Sequence, residues 1–424
     1  MEVKDQYLMK NGEVFFYLAD TCWSAFTNIE LDEWESYCQF RQKQGYNVIQ
    51  INVLRQWDAS HISIRRDPFE VTLLDDGHYI YDYQNIHEDY FDRAEKMLEI
   101  MRKYHLTPAL VLLWANYVPD TWTNPMITNN LFNKAYLINY VKYVVKRFQK
   151  YEPIYFVSGD TDFPTLQAIE YYQIVLDTLK TYDKESLVSF HIKGRLDEIP
   201  EQFLKRIDFF SYQSGHNKNY QNTAFTIPQK LRQKGIKMPI INTEPCYEQI
   251  SYSHSCHEFG RFSREDIRKI AWQSILSGAN AGITYGAHGI WSWHHKGENF
   301  GVHTGEGFDV PFDVITALTF QGAYDYAFLK QLVLKYQIYL SHPVNIELMH
   351  TPLIRISQKD NDYFIYLPCN TELDVSCLNL NLSQYTITAI DLEKQTSETL
   401  KHHNQVIEMH SGQKDALYIL SLKR

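Results

Sequence analysis

The stretch VFFYLADTCW, residues 14–23, decides the fold. Its apolar, aromatic run has the length of a buried strand and ends in an acid and a tryptophan. A doubly wound sheet would place a Gly-rich phosphate loop at that end. None follows, and neither G-x-G-x-x-G nor a P-loop occurs elsewhere in the chain. Outward from this strand, strands and helices alternate. A helix near 30–44 carries Leu31, Trp34 and Cys38 on one face, with Gly45 as its stop. Strands follow at 47–54, 108–114, 154–158, 187–192, 209–213, 239–243 and 281–285. Helices are predicted near 88–104 (Phe91, Ala94, Leu98 and Met101 on one face), 131–150, 164–180, 264–277 and 311–336. Ser263 with Asp266 reads as a capping box and Gly278 as a stop. Eight strands with crossover-length connections imply a parallel sheet, and eight is the number that closes a (β/α)8 TIM barrel.

After about residue 340 the pattern changes to period two, at 353–357, 363–367, 378–382, 385–391 and 416–422. Turn-rich pieces separate these runs. The expectation is a barrel over 1–338 and a small C-terminal antiparallel β-sandwich over 339–424.

Composition narrows the function. The chain has 424 residues and a net charge of −10, which argues against nucleic-acid or anionic-membrane partners. The longest apolar run, 109–115, is far short of the ~20 residues of a membrane-spanning helix. Met1-Glu2-Val3-Lys4-Asp5 carries no secretion pattern, so the expected location is cytoplasmic. The cysteines at 22, 38, 246, 256, 369 and 377 have no metal-ligand spacing, and no metal or cofactor is expected. Aromatic residues number 62, of which 31 are tyrosine, a supply suited either to a sugar-stacking surface or to an aromatic core. The oligomeric state is not legible.

A barrel's active site lies at the carboxyl ends of its strands. Those ends carry Asp20 and Trp23, then Gln50, Asn52 and Arg55, then Trp114 and Asn116. Asp160 and Asp162 follow strand four, and Gln213 and His216 follow strand six. Glu244, Tyr247 and Glu248 follow strand seven, and Tyr285, His288, Trp291 and Trp293 strand eight. Carboxylates, amides, a histidine and tryptophans on one rim suit a carbohydrate, which needs polar partners for hydroxyls and flat faces for rings. Glycoside hydrolysis uses two carboxyl groups across the scissile bond. Strands four and seven stand on opposite sides of an eight-membered ring. Asp162, just before Phe163-Pro164, reads as a helix N-cap, which leaves Asp160 as the preferred acid/base. Glu244, directly ending its strand, is preferred over Glu248 as nucleophile. Some of these residues have blander uses: Asp20 as a cap, Trp291 and Trp293 as closure of the barrel top.

Taken in order, FFYLADTCW (15–23), GYNVIQINVL (45–54), YFVSGDTDF (155–163), QSGH (213–216), INTEPCYE (241–248) and ITYGAHGIWSW (283–293) resemble the apiosidase-type glycoside hydrolases, family 140 and its unassigned relatives. The resemblance spans about 7–335, and the remainder is similar to the collagen-binding-type β-sandwich that often follows this barrel. It implies a retaining mechanism with Asp160 as acid/base and Glu244 as nucleophile. It also implies that Asp20, Gln213, His216, Tyr247, Tyr285 and His288 line the sugar subsite. The family's Gly-Gly-Asp-Arg on strand four is here Ser158-Gly159-Asp160-Thr161, so a charged contact is lost. The expected substrate is a short oligosaccharide or glycoside. A sugar-binding protein on a hydrolase-like barrel, and a lyase or transglycosidase on the same barrel, stay open at this point.

Overall fold

The structure is a computed structural model that describes residues 1–61, 65–74, 79–126, 130–252, 257, 260–300, 309–344, 353–400 and 405–423. Asp75-Asp76-Gly77 and Cys256 lie outside these residues. The eight expected parallel strands are present as Tyr17–Thr21, Val48–Asn52, Thr107–Trp114, Ile154–Gly159, Val188–Ser189, Phe210–Tyr212, Ile240–Asn242 and Gly282–Tyr285. They pair in the spatial order five, four, three, two, one, eight, seven, six. The fifth strand is only two residues long, so the ladder stops between strands five and six. Closure there comes from Asp208 N–H donating to the Val188 carbonyl (2.8 Å) and Ser189 Oγ donating to the Phe209 carbonyl (2.7 Å). The strands are buried along almost their whole length, as expected where helices cover a parallel sheet.

Side-chain parity on the first strand sets what reaches the barrel interior. Tyr17 OH donates to Gln50 Oε1 (2.9 Å), and Thr284 Oγ1 donates to the same oxygen (3.1 Å). Gln50 Nε2 in turn donates to the Thr243 carbonyl (3.0 Å), so one buried amide ties strands one, two, seven and eight beneath the mouth. Asp20 has the opposite parity and faces the helix Leu31–Lys43.

Three expectations are corrected. The first barrel strand starts at Tyr17. Glu13–Phe15 belongs instead to a three-stranded antiparallel sheet with Glu2–Lys4 and Tyr7–Lys10. Its second turn is an Asn-Gly hairpin, with Asn11 at φ +55° and Gly12 at φ +81°. Lys10 Nζ reaches Thr107 Oγ1 at the start of the third strand (3.0 Å), so this sheet lies at the end of the barrel opposite the strands' carboxyl ends. Asp162 is not a helix cap. Thr165 is the N-cap, its side chain accepting from Ala168 N–H, and the helix is Leu166–Tyr182. Residues 378–382 form no strand, because Asp374 and Asn381 cap the short turns Val375–Leu378 and Leu382–Gln384 on either side.

The C-terminal part is a six-stranded antiparallel sheet in the order His342–Pro343, Arg355–Lys359, Asp362–Leu367, Ala416–Leu422, Tyr385–Asp391, Thr396–Leu400. The pair Glu372–Asp374 and Val406–Glu408 adds Leu373 and Ile407 to a core with Ile365, Leu367, Ile387 and Leu420. The sheet also meets the barrel helix Arg264–Leu276. Tyr366 stacks on Trp272, and the buried Arg268 grips Asp415 through Nε (2.8 Å) and Nη2 (2.7 Å) while Nη1 holds Asp325 (2.8 Å). Among the described residues no helix is long and apolar enough to cross a membrane.

Candidate active site

A cavity of about 200 Å³ opens at the carboxyl ends of the strands. Trp23, Trp57, Trp114, Trp122, Tyr247 and Trp291 supply its aromatic wall. Asp160, Gln213, His216 and Glu244 supply polar groups, and Lys193, Arg195 and Asp58 add charge. The indole N–H groups of Trp57 and Trp114 find no acceptor among the described residues.

Glu244 lies one residue past the seventh strand, after Thr243, and is 7% exposed. Gly215 N–H donates to its carbonyl (3.1 Å), and Gly215 itself sits at φ +72°, a left-handed turn that glycine adopts without strain. That turn delivers the next residue, His216, whose Nε2 lies 3.0 Å from Glu244 Oε1. On the other side His191 Nε2 lies 3.1 Å from Oε2. Burial by itself pushes the Glu244 carboxyl up. The two imidazoles more than offset this and hold it well below the usual carboxylate range.

Asp160 follows the fourth strand in a left-handed conformation, φ +55°, uncommon for a residue with a Cβ. Its peptide is held at both ends: its N–H donates to His191 Nδ1 (3.4 Å) and its carbonyl accepts from Trp122 Nε1 (2.7 Å). Gln213 Nε2 donates to the carboxylate at Oδ1. Just before it, Gly159 leaves room for the Trp114 ring, which a Cβ would meet at 2.2 Å. One oxygen of Asp160, one oxygen of Glu244 and one nitrogen of His191 all lie within 4.8 Å of one another. This spacing is compatible with a shared cation. The surroundings are instead donor-rich, with the Gln213 amide on one carboxylate and two imidazoles on the other, which suits a carboxylate pair.

Of the side chains expected at the site, Asp160, Glu244, Trp23, Trp114, Gln213, His216, Tyr247 and Trp291 meet at the cavity. Trp23 Nε1 donates to Tyr247 OH (3.1 Å), and the Tyr247 ring lies 4.4 Å from that of His216. Five others do not reach it. Asp20 is fully buried and bound by Arg41 Nε (2.6 Å), Tyr37 OH (2.6 Å) and Thr21 N–H. Tyr285, in register with Asp20, shares its outward parity and donates to Glu248 Oε2 (2.7 Å). Glu248 also accepts from Gly322 N–H (3.0 Å), and burial pushes its carboxyl up to about 7. His288 lies against the Asp309 carbonyl (2.6 Å), and burial pushes its imidazole down to about 3. Asn116 is turned into the protein by the short turn Ala115–Tyr117. His294 and His295 diverge as adjacent residues do, to Ser60 Oγ (2.9 Å) and Glu33 (2.7 Å) respectively.

Sequence reading missed His191, Trp57, Trp122, Lys193 and Arg195. His191 stands at the end of the run read as strand five, so asking what ends that strand would have found it. Trp57 and Trp122 lie in loops after strands two and three, where no periodicity points anywhere.

Comparison with known proteins bears on the family and the fold. The family described as "Apiosidase-like, catalytic domain" matches residues 2–339. The fold is similar to that of a glycoside hydrolase family 5 protein from Bacteroides vulgatus ATCC 8482, at 18% identity and a TM-score of 0.77. That match covers 98% of this chain and 91% of the other. A structure described as a glycoside hydrolase aligns at 20% identity and a TM-score of 0.79, covering 99% and 96%. No curated protein matches the chain.

Proposed function

Since the chain belongs to the apiosidase-like family, we propose that it is a retaining glycoside hydrolase with Glu244 as nucleophile and Asp160 as acid/base. The observation that carries this reading is the approach of the two carboxylate oxygens to within 4.8 Å. Retaining enzymes keep their carboxyl groups about 5–5.5 Å apart, whereas inverting enzymes need about 6.5–9.5 Å to admit a water.

Glu244, held ionised by His191 and His216, attacks the anomeric carbon and forms a glycosyl ester. The bond to the aglycone oxygen breaks, and that oxygen takes the Asp160 proton. An anion this close to a second carboxyl disfavours a second charge, which is what a proton donor requires. In the second half Asp160 accepts a proton from water. The water oxygen bonds to the anomeric carbon, and Glu244 departs as carboxylate. A cavity of about 200 Å³ falls below the ~300–1,000 Å³ of drug-sized sites, so it seats one sugar rather than a run of them. The unsatisfied indole N–H groups of Trp57 and Trp114 are donors for its hydroxyls. The substrate is accordingly a short oligosaccharide or simple glycoside.

The test is sugar release from a pool of oligosaccharides and aryl glycosides, apiosides included, with anomeric configuration followed by NMR. Wild type is expected to release a sugar with retained configuration, and Glu244→Gln to release none. Inverted product, or release by Glu244→Gln, overturns the assignment. Sugar binding without release by wild type would favour a binding protein on this barrel.

A further inference from the structure

His191 contacts both carboxyl-bearing residues, through the Asp160 peptide and the Glu244 carboxylate. It is fully buried, with its ring packed in a triangle with Trp23 (5.2 Å between centroids) and Trp114 (5.8 Å), which touch each other at 5.0 Å. Its backbone is tied to the fourth strand: His191 N–H donates to the Ser158 carbonyl (3.3 Å), and Ser158 Oγ donates to the His191 carbonyl (3.0 Å). The ring therefore has little freedom to turn. Its Nδ1 accepts the Asp160 N–H, and its Nε2 lies 3.1 Å from Glu244 Oε2, at ion-pair distance but off the line of a hydrogen bond. A neutral imidazole that accepts at Nδ1 carries its proton on Nε2, here the nitrogen facing the carboxylate.

We infer that His191 is a positioning residue that assigns the two carboxyl groups their separate tasks, its Nδ1 fixing the Asp160 peptide and its Nε2–H keeping Glu244 an anion. The inference rests on the retaining reading above. Asp160 stands at φ +55°, and that conformation persists only where neighbours hold it. His191 holds the N–H and Trp122 the C=O, so the carboxyl is aimed by hydrogen bonds to its own backbone. The groups facing Glu244 come from several elements. His191 lies just past the fifth strand, His216 follows the sixth, Tyr247 lies on its own segment, and Asp160 faces it from the fourth. Lys193, Arg195 and Asp58 stand on the same cavity wall. Among these groups the two imidazoles, joined by the Tyr247 hydroxyl that donates to Glu244, favour the carboxylate, and Asp160 opposes it.

Two substitutions separate the two tasks. In His191→Asn the amide oxygen replaces Nδ1 as acceptor for Asp160 N–H, but the side chain stops short of Glu244. In His191→Gln the amide nitrogen reaches Glu244, but Asp160 N–H loses its acceptor. With one imidazole gone, the acid limb of kcat/KM against pH is expected to rise by about one unit or more in His191→Asn and to stay in place in His191→Gln. His191→Gln is expected to lose about 10–100-fold on alkyl glycosides, whose leaving group needs a proton, and little on activated aryl glycosides.

A uniform loss across pH and leaving group in both variants, or none, overturns the inference. Both outcomes differ from failure of the retaining reading, in which wild type itself inverts or is idle. Two readouts need no substrate. ¹⁵N spectra of the wild type are expected to show the His191 proton on Nε2, and ¹³C-carboxyl titration is expected to show Glu244 displaced upward in His191→Asn. A proton on Nδ1, or an undisplaced Glu244, refutes the inference whatever the activity.

Discussion

Gly159→Ala tests whether the approach of Trp114 to the fourth strand shapes the active site. A Cβ on Gly159 would lie 2.2 Å from Trp114 Cε3, 2.4 Å from Cδ2 and 2.8 Å from Cζ3, where ordinary contact begins at 3.4 Å. The shortfall is about 1.2 Å, and the obstacle is a rigid indole rather than the end of a flexible chain. The ring is hemmed in by Trp23, 5.0 Å away, and His191, 5.8 Å away. Either the indole moves into the cavity of about 200 Å³, or the strand backs away and takes the adjacent Asp160 with it. Overpacking of this kind costs about 1–3 kcal/mol. A displacement near 1 Å at the reacting groups costs on the order of 10²-fold in rate. Urea unfolding and kcat/KM on one glycoside would be measured for Gly159→Ala, Trp114→Phe and the double variant. The double variant is expected to regain most of the stability lost in Gly159→Ala, because the smaller ring leaves room, while activity stays low because Trp114 itself walls the site. Gly159→Ala within about 0.5 kcal/mol and threefold of wild type would refute the reasoning.

Glu248 gives a pH-dependent prediction with a definite sign. Its folded carboxyl lies at about 7, above the ordinary 4.5, so between these values the folded state binds the extra proton. Its contribution to stability therefore falls as pH rises from about 4.5 to 7 and is level beyond. Glu248→Gln should remove that slope, and the variant should gain on wild type by up to ~3 kcal/mol across this window in denaturant unfolding. An unchanged difference between pH 4.5 and 7 would count against a buried, proton-bearing Glu248. Asp415→Asn weakens the grip on Arg268, which is 2% exposed and keeps Asp325. Unfolding should shift by about 2–3 kcal/mol with kcat/KM unchanged, and a shift below about 0.5 kcal/mol would show the contact to be dispensable.

Local pattern carried a large part of this protein. The alternation of buried runs with amphipathic helices is a nearest-neighbour property, and it placed all eight barrel strands. Parity along a strand is also local, and it was informative where it went unused. Asp20 alternates with Tyr17, Ala19 and Thr21, so it had to face the helix layer, and Tyr285, beside it in register, faces outward too. The expectation that both line the sugar site treated the end of a strand as if every residue there faced the mouth. The Asn11-Gly12 hairpin was equally legible, but the expected first strand began just after it, at Val14, and so joined the hairpin's arm to the barrel strand.

The sequence by itself determined the run of eight strands alternating with helices, the C-terminal antiparallel sheet and the position of Asp160 and Glu244 after strands four and seven. Each follows from periodicity or from position at a strand end. Only the tertiary structure decided that His191 joins Asp160 to Glu244, and that Trp57 and Trp122 come from separate loops to the same cavity. It likewise decided that Glu248 turns away to Tyr285 and Gly322. The reason is physical. A carboxylate's direction and its charge depend on backbone angles such as φ at Asp160 and Gly215, and on donors tens of residues away in the chain. Those distances are set by closing the barrel, not by any window of neighbouring residues.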